Sequence, residues 1–360
     1  MQNEASKFRR NNFDVTNTVN VTDPVAVGNA LEHIFLDLYP NASFNIMRNA
    51  ITHVSQLYRG ENPVFAPCDT GYHDLQHILD VTLATARLMD GYERSRKPGG
   101  GLGEELFVFG ILLALFHDSG YLRKRGIEDD RQGAEFTLIH VSRGEKLLKQ
   151  YMQEIGLGNL AETAAQVVHY TGYEVPAERI DVLPVYRDIG NIVASADMLA
   201  QMADRCYIEK CHDRLYKEFV LAGIAQDVDS TGKKQVIFSS PRDLVKKTPE
   251  FYRGAKKRMD ETLQGAYHFA EKHFNGQNPY LEAIEKNILF AEYVIANGAD
   301  IGMLQRFPSQ TPGSDQASME TDDRKHQVID RRKIIGDGKE NFAQRNSDLL
   351  EIKPNPSKKK

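Results

Sequence analysis

The feature that most constrains this chain is an apolar run that ends abruptly in two polar residues. Leu106–Phe116 is interrupted only by Gly110, and His117 and Asp118 follow at once. The run is too short to cross a bilayer, which takes about 20 residues. A helix over Glu104–Phe116 that is apolar nearly all round belongs in a protein core. Ser119-Gly120 is a stop signal, so His117-Asp118 falls at the end of that buried helix. A carboxylate placed there is costly unless a cation or a hydrogen-bond network compensates, and a metal ion supplies such compensation. The plainer alternative is a capping His followed by a turn-forming Asp.

The rest of the chain reads as helices around this one. Asp23-Pro24 starts a helix that carries Val27, Leu31, Ile34, Phe35 and Leu38 and stops at Tyr39-Pro40. Further helices are expected over Phe44–Tyr58, Tyr72–Asp90, Arg131–Met152, Leu160–His169, Tyr186–Phe219 (one helix or two in succession), Pro249–Phe274 and Pro279–Asn297. Arg59–Gly71 and Lys97–Gly103 read as loops. There is no convincing strand ladder and no internal repeat, so the expected class is all-α. Residues 1–23 read as a flexible arm, 24–225 as the catalytic domain and 226–306 as a helical extension. From 307 to 360 Ser, Gln, Gly, Asp and Lys dominate, the signature of a disordered tail.

Composition removes several function classes. Lys and Arg total 45 against 50 Asp and Glu, without the strongly basic balance of a nucleic-acid coat. Three cysteines, none in a C-x-x-C, cannot build a disulfide framework or a zinc ribbon. No signal-peptide core and no membrane span are apparent, which makes a cytoplasmic protein the expectation.

Several other polar residues stand in apolar settings. A helix over Tyr72–Asp90 would put His73 and His77 on one face, about 5–6 Å apart at Cβ. That pair also suits two solvated or core histidines. His140 shares an amphipathic helix with core leucines, and His169 ends another helix; either could be a satisfied core residue. Asp197 lies among Ile192, Val193, Ala194, Ala196 and Met198 and needs a partner there. Arg123, Lys124 and Arg125 follow the His-Asp turn and could recognise phosphate, as could Arg131 and Arg205; a solvated loop is the alternative for 121–125. Gln201, one turn after Asp197, could face the same pocket. Tyr121, Tyr170 and Tyr173 could stack on a base or pack in the core.

The order His77, His117-Asp118, His140, His169, Asp197 resembles the HD superfamily of metal-dependent phosphohydrolases over roughly residues 50–220. Locally, Tyr72-His73-Asp74-x-x-His77-x-x-Asp80-Val81 and Leu115-Phe116-His117-Asp118 are similar to motifs of the cyclic-nucleotide phosphodiesterases. Asp74 stands where those enzymes usually have Asn, and Tyr121 follows where a later His is usual. The resemblance implies an all-α helical bundle and two divalent ions (Mg, Mn, Fe, Zn, Co or Ni). His77, His117, Asp118 and Asp197 would hold the first ion. Asp118 would bridge to the second, with His140 and His169. His73 would be the general acid, and Asp74 would orient it or support a ligand. The implied substrate is a small nucleotide, with a 3',5'-cyclic nucleotide favoured. A di-iron oxygenase and a non-catalytic nucleotide-binding regulator are the competing classes. No nucleic-acid or membrane partner is expected. The helices of 249–297 could form a homodimer face or a lid, and Ile334-Ile335 and Leu349-Leu350 could dock a protein partner.

Overall fold

The computed structural model describes residues 9–97, 100–228, 234–298 and 300–304. The chain divides into two compact units, Met1–Ser309 and Gln310–Lys360. The second unit, with the expected disordered tail and its apolar pairs, lies outside the described residues, as do residues 1–8. The first unit is all-α apart from one small hairpin. No helix among the described residues is long and apolar enough to cross a membrane.

The helices are α1 (Pro24–Leu38), α2 (Asn45–Arg59), α3 (Leu75–Ser95), α4 (Glu104–Phe116), α5 (His140–Glu154), α6 (Gly158–Val167) and α7 (Pro184–Ala203). They continue with α8 (Tyr207–Lys210), α9 (Tyr216–Leu221), α10 (Pro241–Lys257), α11 (Phe269–His273) and α12 (Pro279–Ala296). Between α9 and α10, β1 (Gln226–Val228) and β2 (Lys234–Val236) pair antiparallel, with Asp227 opposite Gln235. Sequence reading missed this hairpin, whose strands are only three residues each.

Helix α4 explains the centre of the fold. Phe107 to Phe116 are all buried, most of them completely. Burying one large apolar side chain is worth about 1.5–3 kcal/mol, so this helix has no stable exposed alternative. Helix α3 lies beside it and is buried from Leu75 to Leu79 and from Val81 to Tyr92. Close packing is visible at Gly110, where an added Cβ would meet the Met89 sulfur at 2.6 Å. Helices α3, α4 and α7 thus form the wall from which the polar residues project.

Four expectations are corrected. The helix expected from Tyr72 begins at Leu75, because the Asp74 side chain accepts the His77 amide at 3.0 Å and caps it. The helix expected from Pro249 begins at Pro241, capped by Ser240, and Pro249 lies inside it. The described part of the arm, residues 9–23, is packed rather than flexible. Asp14 and Val21 are buried, and Asp14 pairs with the buried Arg87 at 2.5 Å. Within residues 226–306, α11 and α12 are no separate extension, since they pack on α3 and α7. The Arg87 guanidinium donates to the Tyr280 hydroxyl at 3.0 Å, and Asn287 Nδ2 donates to the Met202 carbonyl at 2.9 Å.

Candidate metal centre

Four helix segments deliver the site. His77 sits in the first turn of α3, His117 caps the end of α4, Asp118 begins the next turn, His140 opens α5, and Asp197 lies within α7. All but Asp197 and His140 are more than nine-tenths buried. His77 Nε2 lies 3.4 Å from His117 Nε2, 3.4 Å from Asp118 Oδ2 and 3.3 Å from Asp197 Oδ1. His117 Nε2 lies 3.3 Å from Asp118 Oδ2 and 3.9 Å from Asp197 Oδ1. The other Asp118 oxygen, Oδ1, faces His140 Nε2 at 3.3 Å. One carboxylate therefore turns one oxygen to His77 and His117 and the other to His140.

Local structure fixes the tautomers. His117 Nδ1 donates to the Ala114 carbonyl at 2.8 Å, and His140 Nδ1 donates to the Thr137 carbonyl at 2.6 Å. In each ring Nε2 is left as the nitrogen that points into the cluster, the arrangement a metal-binding imidazole needs. The ligating atoms of His77, His117 and Asp197 all lie within 4.8 Å of one another, so this group can hold a metal ion. The donor set of imidazoles and carboxylates suits a first-row divalent cation.

The charges show what the cluster requires. Burial opposes a proton on His77, yet hydrogen bonds to Asp118 and Asp197 outweigh it and push the imidazole up to about 10. His117 and His140 rise for the same reason, against their burial, through Asp118. Burial would raise the Asp118 carboxyl, but His117, His140 and His77 hold it well below the usual carboxylate range. The ion pairs that join these five residues run between imidazoles and carboxylates. Their positive charge must come from protons or from a bound cation.

His73 is not on the face of α3, as the sequence suggested, but in the segment before its cap. Its ring centroid is still 5.8 Å from that of His77. The buried Glu218 of α9 braces it: Oε2 lies 2.5 Å from His73 Nδ1, and Oε1 accepts the Tyr72 amide at 2.6 Å. Sequence reading allowed Asp74 either this role or the support of a ligand. Asp74 instead caps α3 and pairs with Arg214 at 3.3 Å. Glu218 was missed because 145 residues separate it from His73. Its setting beside Phe219, Val220 and Leu221 carried the same signal as Asp197, an acid among apolar residues.

Other expected site residues have other partners. His169 Nε2 lies 2.7 Å from Glu145, and no contact among the described residues joins it to Asp118 or His140. Arg123 pairs with Asp69 at 2.9 Å, and Arg131 with Glu135 at 3.2 Å. Arg205 donates to Asn11 at 2.8 Å and so fastens the N-terminal segment. Lys124 is exposed, and its amide donates to Glu128 at 2.8 Å. Gln201 does reach the cluster, donating to Asp197 Oδ1 at 3.3 Å while its oxygen accepts from the Tyr72 hydroxyl at 3.3 Å. Tyr121 and Tyr170 are buried, and Tyr173 stacks under Arg258 at 4.1 Å.

Compared with family models, with curated proteins and with solved structures, the chain finds no match. What defines the site is the cluster itself: a buried His/carboxylate group able to hold a metal ion.

Proposed function

We propose that this protein is a metal-dependent phosphohydrolase of the HD type, acting on a phosphate ester of a small nucleotide, with a 3',5'-cyclic nucleotide preferred. The observation that carries this reading is the two-sided placement of Asp118, with one oxygen toward His77 and His117 and the other toward His140. His77, His117, Asp118 and Asp197 would hold one divalent ion, and Asp118 with His140 offers donors toward a second. Such ions supply Lewis-acid polarisation of a phosphate oxygen and an activated water.

The chain's own residues do the rest. His73 presents Nδ1 to the Glu218 carboxylate, which fixes the ring and leaves Nε2 as the nitrogen able to give a proton to a departing alkoxide. A positioned acid of this kind contributes roughly 10²–10⁴-fold. Gln201 holds Asp197 through its amide, so the α7 carboxylate cannot rotate freely. Arg123, Arg131 and Arg205 are engaged elsewhere and are assigned no role in binding phosphate.

The test is hydrolysis of cyclic AMP and cyclic GMP by protein loaded separately with Mg, Mn, Fe(II) and Ni, with Asp118→Ala as control. Turnover that Asp118→Ala abolishes is the expected result. No turnover with any ion contradicts the preferred substrate. Iron-dependent O₂ consumption in its place contradicts hydrolysis.

A further inference from the structure

The turn after α4 carries a residue whose place the metal centre does not account for. Ser119–Tyr121 form a single tight turn against the start of α5. The approach is close: an added Cβ on Gly120 would lie 1.8 Å from the His140 carbonyl oxygen. Arg143 of α5 locks the turn there, donating through Nε to the Gly120 carbonyl at 2.8 Å and through Nη2 to the Leu122 carbonyl at 3.2 Å. This docking swings the Tyr121 ring between two imidazoles. Its centroid is 4.6 Å from His73 with planes 16° apart, and 4.7 Å from His140 with planes 20° apart. Both faces of the ring are thereby used, and only 2% of the residue is exposed. The ring therefore cannot stack on a nucleobase, as the sequence had allowed.

We infer that Tyr121 is a positioning residue, an aromatic spacer that holds the proton-carrying His73 and the metal-facing His140 at one fixed separation. The role given to His73 rests on the reading proposed above; the role at His140 needs only the metal centre. Offset parallel rings attract one another beyond simple burial. Two such contacts on one ring oppose tilting of either imidazole. Glu218 grips His73 at Nδ1 and the Thr137 carbonyl grips His140 at Nδ1. Each ring is then held at one edge and across one face, which leaves its Nε2 direction fixed. Movement of the Ser119–Tyr121 turn would disturb both imidazoles together.

Nuclear Overhauser effects and ring-proton shifts in full-length protein test this directly. In the wild type, Tyr121 ring protons should show contacts to the rings of both His73 and His140, whose carbon-bound protons should be shifted upfield by its ring current. Tyr121→Leu should lose both upfield shifts, weaken Mn²⁺ binding by about tenfold or more and lower turnover. Tyr121→Phe, which keeps the ring, should keep the shifts and the Mn²⁺ affinity. Absence of Tyr121 contacts to either imidazole in the folded wild type overturns the inference. So does a folded Tyr121→Leu protein with unchanged Mn²⁺ affinity. If Tyr121→Leu does not fold, the wild-type contacts decide alone. Should the wild type hydrolyse no nucleotide yet show both ring contacts, the hydrolase reading fails and the spacer between the two imidazoles stands.

Discussion

Asp14 and Asp118 are both buried carboxylates, exposed by 1% and 3%, and the protein neutralises them in opposite ways. Asp14 is answered by the chain. It takes the Arg87 guanidinium at 2.5 Å, the Thr16 hydroxyl at 2.6 Å and the amides of Thr18 and Val19 at 2.9 and 2.8 Å. Asp118 faces the three imidazoles of His77, His117 and His140. A guanidinium cannot shed its charge, whereas an imidazole can exchange a proton for a metal ion. The first arrangement fastens the N-terminal segment to α3. The second keeps a place for a cation that the chain does not supply.

The largest effects separate these two aspartates. Asp14→Ala leaves Arg87 buried without its carboxylate, and such a loss costs about 3–5 kcal/mol. Thermal or denaturant unfolding should show it, with metal affinity of the folded fraction unchanged. Asp118→Ala should reverse the pattern. Metal uptake and turnover should be lost, while the ion-free protein is destabilised less than Asp14→Ala, because its imidazoles can become neutral. Equal destabilisation by both variants would break the distinction. Next in size, His73→Ala should lower turnover by roughly 10²–10⁴-fold at full metal occupancy, measured together with metal content. Loss of the metal as well would make His73 part of the cluster's framework.

The dependence on pH sharpens the contrast, since the two sites carry opposite signs. His77 is raised to about 10, so in the ion-free protein its contribution to stability is complete below the ordinary imidazole range and is lost as pH rises through about 10. Asp14 is lowered; burial opposes this, but Arg87, Thr16 and Val19 outweigh it. Its contribution is present above the ordinary carboxylate range and is lost as pH falls through its depressed folded value. Metal uptake near pH 7 must expel the His77 proton, so binding should release protons and tighten with rising pH up to about 10. Calorimetry in buffers of different ionisation enthalpy measures that release. The smallest effect belongs to Arg123→Gln, which breaks a partly exposed pair with Asp69. About 1 kcal/mol or less should be lost, with substrate KM unchanged.

Much of this was legible in the sequence where burial and periodicity agree. Helix α4 falls at the expected Glu104–Phe116 because no other placement hides ten consecutive buried residues, Phe107 to Phe116. Asp197 was marked by its apolar neighbours, and the structure brings it to His77. What was not legible has one cause: short-range patterns do not show which side chain a polar group will meet. His73 and His77 have helical spacing, but the Asp74 cap takes the first of them off the helix. His169 ends a helix as a ligand might, and it turns Nε2 to Glu145 on α5 while Nδ1 is buried with no hydrogen-bond partner among the described residues. Arg205 lies near Asp197 in sequence and is claimed by Asn11, 194 residues away. Glu218 carried only the weak mark of an acid among apolar residues.

His77, His117, Asp118 and Asp197 together present the donor atoms of a site for a divalent cation. Titration of chelator-treated protein with Mn²⁺, followed by electron paramagnetic resonance and elemental analysis, tests it most directly. Saturable uptake that His117→Ala and Asp118→Ala each abolish in folded protein is the result predicted here. Uptake that neither substitution alters, or no uptake by the wild type with any of Mg, Mn, Fe(II), Co, Ni or Zn, would contradict it.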